Sequence, residues 1–154
     1  MLTAAHSSGT SDEHISLLEH LAPLHQRISA IVVTTPQAVA LLDVMKCISF
    51  ARTVSLPVLG LVENMSGFVC PCCGDVTNVF SSGGGEQLAE REGLRFLGRL
   101  PIDTELVAML DGGVKEAVES DATALFPCLQ RYKACPSSGI FKSITQAVKG
   151  SLGS

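Results

Sequence analysis

The sequence predicts an α/β fold, a parallel sheet with helices on both faces, and three observations predict it. Short, mostly apolar runs lie at 28–34, 56–62 and 94–98, the first of them rich in β-branched residues; segments of helical period separate them, and turn residues bound each one. Strands alternating with helices at this spacing form βαβ units, whose crossovers cover the faces of a parallel sheet.

Each element has its own justification. Thr10-Ser11-Asp12-Glu13 has the form of a capping box, and Leu17, Leu18, Leu21 and Leu24 follow at helical spacing, so a helix is expected over 11–25. Ile28 to Thr34 is nearly all apolar and reads as a strand buried on both faces. Thr35-Pro36 then opens a second helix, because proline at a first helical position loses no hydrogen bond. Val39, Leu42, Met45 and Phe50 would give that helix its core face. Leu56 to Val62 is a second buried strand, and residues 64–75 read as an irregular loop. Gly83-Gly84-Gly85 precedes a helix over 86–92, and Leu94 to Gly98 makes a third strand that ends at Leu100-Pro101. A helix through Leu106, Val107 and Leu110 is expected to stop at Gly112-Gly113, since glycine suits the left-handed conformation of a helix end. Signals are mixed from Val114 to Ser138, where Pro127 and Pro136 interrupt. Ile140, Ile144, Ala147 and Val148 mark a last amphipathic helix, with a frayed tail at 150–154.

The bulk numbers exclude several classes. The 154 residues are 46% apolar and only 17% charged, with a mean hydropathy of +0.35. No apolar run is long enough to span a bilayer, and the first residues lack the basic head and long apolar block of a secretory signal, so a soluble intracellular chain is expected. Eleven basic against fifteen acidic residues give a net charge of -4 without any Lys or Arg cluster, which leaves no footprint for nucleic acid. The six cysteines at 47, 70, 72, 73, 128 and 135 are accordingly expected to stay reduced, Cys47 as a small core residue.

Chemistry concentrates in the stretch from Gly67 to Asp75. Cys70 and Cys73 stand three residues apart, pinned by Pro71 and released by Gly74, so two thiolates could bite one metal centre from a tight turn. Zinc sites and cubane iron–sulfur clusters usually take four protein ligands, which leaves two to be found. A thioredoxin-like redox pair would need a helix to start at the first cysteine, and no helical pattern begins before Gly85. A structural zinc site could add Cys128 and Cys135. A cluster shared across a two-fold axis would take two thiolates from each of two chains. Cys72 is expected to point away from Cys73 and to be a spare thiol.

Five separated blocks carry a resemblance: Gly9-Thr10-Ser11-Asp12-Glu13-His14, Thr34-Thr35-Pro36-Gln37, Val62-Glu63-Asn64-Met65-Ser66-Gly67-Phe68, the cysteine turn, and Leu97-Gly98-Arg99-Leu100-Pro101-Ile102-Asp103. In this order they resemble the Mrp/nucleotide-binding-protein family of P-loop ATPases, in particular its shorter cytosolic iron–sulfur cluster assembly factors that partner a longer paralogue. The resemblance implies the C-terminal part of a SIMIBI-type P-loop NTPase fold. Its segments would be a non-family leader at 1–9, a partial domain at 10–112 with the cysteine turn at 67–75, and a helical C-terminal segment at 113–154. It further implies a scaffold that builds a four-iron, four-sulfur cluster between two subunits, as a homodimer or a heterotetramer with the longer paralogue. The cluster would then pass to acceptor apoproteins in the cytoplasm and nucleus, with no membrane or nucleic-acid partner. Cys70 and Cys73 match the family's bridging cysteines. Asn64 and Pro101 match positions that help form its adenine pocket.

The departures are equally specific. Family members carry a glycine-rich loop with Gly-Lys-Ser or Gly-Lys-Thr, whose N–H groups and lysine hold the phosphates of ATP and whose hydroxyl holds magnesium. No Gly-Lys pair occurs in these 154 residues, and the residues before Ser8 match neither the strand nor the Walker-B-type aspartate. Without groups to neutralise a transferring phosphoryl, no ATP hydrolysis is expected. The competing expectation, from a different class, is a non-catalytic interaction module or zinc-binding fragment that pairs with a full-length family partner.

Overall fold

A computed structural model describes residues 12–70, 72, 73, 75–80, 82–119, 131–133 and 135–152. Helix α1 (Asp12–His20) leads through a 3-10 turn (Ala22–Arg27) into β1 (Ala30–Thr34). Then follow α2 (Ala38–Thr53), β2 (Val58–Glu63), β3 (Phe68–Val69), β4 (Val76–Thr77), α3 (Gly84–Arg91), β5 (Phe96–Arg99), α4 (Thr104–Glu119) and α5 (Ser137–Leu152). Strands β1, β2 and β5 make a parallel sheet in the order β1-β2-β5, and β3 with β4 makes a separate antiparallel hairpin. The α/β class read from the sequence is the one observed.

Two apolar clusters hold the sheet, one on each face. Consecutive strand residues point to opposite faces, and Leu61 and Val62 of the central strand divide accordingly. Leu61 packs with Val44 and Ile48 of α2 and Leu88 and Ala89 of α3. Val62 packs with Leu97, Leu100 and, from α5, Val148, flanked by Ile140, Phe141, Ile144 and Ala147. The stripe expected for the last helix is thus its buried face, although that helix continues through Gly150 to Leu152 instead of fraying.

Several expectations are corrected. Helix α1 stops at His20, because Pro23 has no N–H to continue the ladder and the chain tightens into the 3-10 turn. Leu24, expected on a core stripe, is 46% exposed there. Pro36 is buried two residues before α2 rather than opening it, and Gln37, in extended conformation, is the N-cap. The core face of α2 is also turned from the expected one. Val44, Ile48 and Ala51 are buried, whereas Val39 and Leu42 are 73% and 60% exposed. The helix is apolar nearly all round, so periodicity alone could not choose a face. Strand β1 is not covered on both faces: Ile31 and Val33 are exposed, since α5 packs against β5 at the other side of the sheet. Part of the loop read over 64–75 is the β3–β4 hairpin. Helix α4 runs through Gly112 and Gly113, because the good helix formers that follow offset a cost of about 1 kcal/mol per glycine. Cys47 is half-buried. The leader at 1–9, Thr10 and Ser11 of the capping box, Pro127 and Cys128 lie outside the described residues.

One carboxylate ties the second cluster's helix in place. Asp103 Oδ1 accepts the Leu106 N–H at 3.0 Å, capping α4. Its Oδ2 accepts the Ser137 hydroxyl at 2.6 Å and the Ser137 N–H at 3.2 Å, at the start of α5. Partial burial works against its charge, but the Ser137 hydroxyl and the N–H groups of Leu106, Ser137 and Glu105 outweigh that and hold its carboxyl below the ordinary value.

Two predictions follow from this packing. Ile48→Ala should cost roughly 3 kcal/mol in urea unfolding while Leu42→Ala stays within about 0.5 kcal/mol, the reverse of what the sequence stripe implies. Because the folded pKa of Asp103 is depressed, its contribution is present above the ordinary value of 3.8 and is lost as pH falls through the folded value. Asp103→Asn should therefore lower stability by about 1–2 kcal/mol at pH 7 and flatten the decline below pH ~4, measured by urea titration across pH.

Candidate functional site at the C-terminal end of the sheet

In open α/β sheets ligands lie beyond the carboxyl ends of the strands, and here three features meet at that end. The first is a cavity of about 140 Å³ lined by Val33, Thr34, Thr35, Ala40, Val44 and Asn64. Asn64 is set by its backbone N–H, which donates to Thr34 O at 2.7 Å, and its Oδ1 accepts the N–H of Met65 at 2.9 Å. Met65 itself is left-handed, with φ of 57°. One side of the amide therefore serves its own turn while the residue still walls the cavity. Pro101 is half-buried between Leu100 and Ile102 and is not part of that wall. The structure brings one of the two expected nucleotide residues to the cavity and leaves the other off it. The volume is below the ~300 Å³ at which small-molecule pockets begin, so it has room for the edge of a ring system rather than a whole nucleotide.

The second feature is Glu63, whose side chain is fully buried. Its Oε1 accepts the Ser66 hydroxyl at 2.6 Å and the Gly83 N–H at 3.2 Å, and its Oε2 accepts the Gly85 N–H at 2.6 Å. Gly83 is the N-cap of α3 in left-handed conformation (φ 82°), a position glycine takes without penalty, and has no side chain to cap the helix. Glu63 supplies that cap from the end of β2. Sequence reasoning alone passes over this residue. The available signal was an acidic residue closing an otherwise apolar strand, followed by a serine and then a glycine-rich helix start.

The third feature is the cysteine turn, at the tip of the β3–β4 hairpin. Phe68 pairs with Thr77 and Val69 with Val76, and beyond them the Cys70 N–H donates to Asp75 O at 3.0 Å. The hairpin is fastened to the end of β5 by a bridge between Phe68 and Ile102 and by the Ile102 N–H donating to Gly67 O at 2.8 Å. Cys70 is half-buried, and Cys72 and Cys73 are exposed. The N–H groups of Cys73 and then Cys72 point at the Cys70 sulfur, the Cys73 thiol lies within hydrogen-bonding reach, and together these hold the Cys70 thiol below its ordinary value despite some burial. Cys70 and Cys73 in one turn are the residues here that could hold a thiophilic metal. Among the described residues no three His, Cys, Asp or Glu side chains group to hold a metal ion.

Cys135 behaves oppositely. It is buried, its thiol donates to Arg131 O at 3.5 Å, and burial followed by the Asp103 and Glu105 carboxylates pushes it above the ordinary cysteine value. The contrast predicts that limiting iodoacetamide at pH 7.5 labels Cys70 well before Cys135, with Cys135 reacting only after denaturation, as read by peptide mass spectrometry.

Residues 6–133 match the ParA family model described as NUBPL iron-transfer P-loop NTPase. The cytosolic Fe-S cluster assembly factor CFD1 of Mycosarcoma maydis is 60% identical over 109 residues, covering 71% of this chain and 30% of that protein. The cytosolic Fe-S cluster assembly factor NUBP2 of Bos taurus is 51% identical over 121 residues, 79% of this chain and 44% of that protein. The cytosolic Fe-S cluster assembly factor cfd1 of Emericella nidulans is 39% identical over 173 residues, 94% of this chain and 52% of that protein. The chain thus spans about half or less of the length of these curated relatives. With a family model matched over most of its residues, the chain belongs to the NUBPL-type iron-transfer P-loop NTPases of the ParA family.

Proposed function

We propose that this chain acts in iron–sulfur cluster assembly, with Cys70 and Cys73 holding a four-iron, four-sulfur cluster as cargo between two subunits. The observation that carries the reading is the cysteine hairpin: thiols converge at its tip, and backbone N–H groups are aimed at the Cys70 sulfur. Such donors lower the cost of a thiolate and suit a sulfur that also binds metal. Two ligands per chain are half of what a cubane cluster needs, and a two-fold axis doubles them. A second copy or a longer paralogue could supply the other pair. The wholly intrachain zinc site is less well supported, because Cys135 is buried and committed to the Arg131 carbonyl.

Nucleotide enters this reading only in part. Asn64 would meet the edge of an adenine ring at the end of the sheet, with Pro101 contributing backbone beside it. The 154 residues hold no lysine-bearing phosphate loop, so phosphoryl chemistry at this end would depend on groups outside them. The relatives are named as cytosolic factors, which supports reading the proposed activity as cytosolic.

Anaerobic reconstitution with iron and sulfide, followed by gel filtration, tests the proposal. The expected result is a dimer with about four irons and four sulfides, abolished by Cys70→Ala with Cys73→Ala and largely kept by Cys72→Ala. A monomer with one zinc, or a dimer whose iron content ignores the double substitution, would replace it with the interaction-module reading.

A further inference from the structure

The segment that carries the cysteines departs after β2, at Ser66, and rejoins the core at Gly83, the N-cap of α3. Both ends of this excursion are bound by the same side chain. Glu63 Oε1 takes the Ser66 hydroxyl at 2.6 Å and the Gly83 N–H at 3.2 Å, so one oxygen bridges the way out and the way back. Its second oxygen takes the Gly85 N–H at 2.6 Å, inside the first turn of α3. Ser66 and Gly85 are buried, as is Glu63 itself, and the three donating groups are uncharged. Space has been kept for this arrangement: a Cβ placed on Gly85 would lie 2.9 Å from Oε2 and 3.0 Å from the Glu63 Cβ. Within the excursion the hairpin has only two residues per strand, too little to fix its own position.

We propose that Glu63 is a positioning residue for the cysteine turn, a buried carboxylate that clamps the base of the 66–83 excursion and so sets where the Cys70 and Cys73 sulfurs sit. The clamp has a mechanical rationale. A two-stranded hairpin is marginal by itself, so its placement depends on what holds its base. The Phe68–Ile102 bridge fixes the outgoing strand to β5. The return from Thr77 to α3 is fixed by the carboxylate. Without that hold the two arms could shift relative to one another, and a shared cluster requires both sulfurs in register with their partners. The role in cluster holding rests on the function proposed above, whereas the clamp on the hairpin does not.

The test separates the two. Hydrogen exchange by mass spectrometry on the whole chain, without metal, compares wild type with Glu63→Gln and Ser66→Ala. Glu63→Gln sets an amide N–H₂ against groups that all donate, and Ser66→Ala removes one donor while leaving β2 intact. Both should speed exchange of peptides spanning 68–77 by roughly tenfold or more, with β1 and α5 peptides near wild-type rates. Iron retained after anaerobic reconstitution should fall in both, and the visible absorption of the bound cluster should shift. Uniform acceleration across all peptides would show a merely structural role and overturn the proposal, as would unchanged exchange over 68–77. Should Glu63→Gln fail to fold, Ser66→Ala decides alone by the same criterion. If wild type takes up no iron while the local exchange signature holds, the cluster function falls and the clamp stands.

Discussion

The end of β2 is where the structure is decided. Glu63 closes a strand that is buried over its last four residues, and its main chain pairs on both sides at once, with Thr34 of β1 and Arg99 of β5. Its carbonyl takes the Leu100 N–H at 2.8 Å, and one residue on, Asn64 donates to Thr34 O. The side chain of the same residue then caps α3. A buried carboxylate without donors would cost several kcal/mol, so burial here is tolerable only because Ser66, Gly83 and Gly85 all present their hydrogens to it. The glycines that make this approach possible lie some twenty residues away in sequence, and removing the acid would leave the Gly85 N–H buried without an acceptor.

From this anchor the functional end is assembled outward. The cavity beside Asn64 and the base of the cysteine hairpin both start within three residues of Glu63, so the two candidate sites share one support. Such sharing does not make them communicate. It does mean that a disturbance at the strand end reaches both, because packed interiors transmit displacement rather than absorb it. The Phe68–Ile102 bridge extends the same support to the Pro101 segment, which stands beside the hairpin although it does not wall the cavity.

How much of this could be read from sequence depended on how local the signal was. The three parallel strands and α5 were legible because short apolar runs alternate with helical segments and the Ile140, Ile144, Ala147, Val148 stripe has one natural burial pattern, although the burial of β1 on one face only was not. The face of α2 was not, because Val39 and Leu42 are as apolar as Val44 and Ile48, and only the position of the sheet chooses between them. Gly112 and Gly113 signalled an end that longer-range helix propensity overrode. Cys70 and Cys73 stood out by spacing, yet the fastening of their hairpin through the Phe68–Ile102 bridge joins residues far apart in the chain and leaves no mark in composition. Glu63 and Asp103 were the least legible. Each works through partners distant in the chain, Gly85 for one and Ser137 for the other, and pairs of that kind leave no periodicity to find.

The two faces of the sheet also differ in when they can form. The cluster around Leu61 draws on residues between Val32 and Phe96, while the cluster around Val62 waits for Ile140 to Val148. Gly98 permits the closeness of that late contact, since a Cβ there would come within 3.2 Å of Ile144. Closing the longer loop carries the larger entropic cost, so the α2–α3 side is expected to be ordered before α5 docks. On a ribosome delivering the chain from its N-terminus, the face of β5 that carries Leu97 stays bare until the last helix emerges.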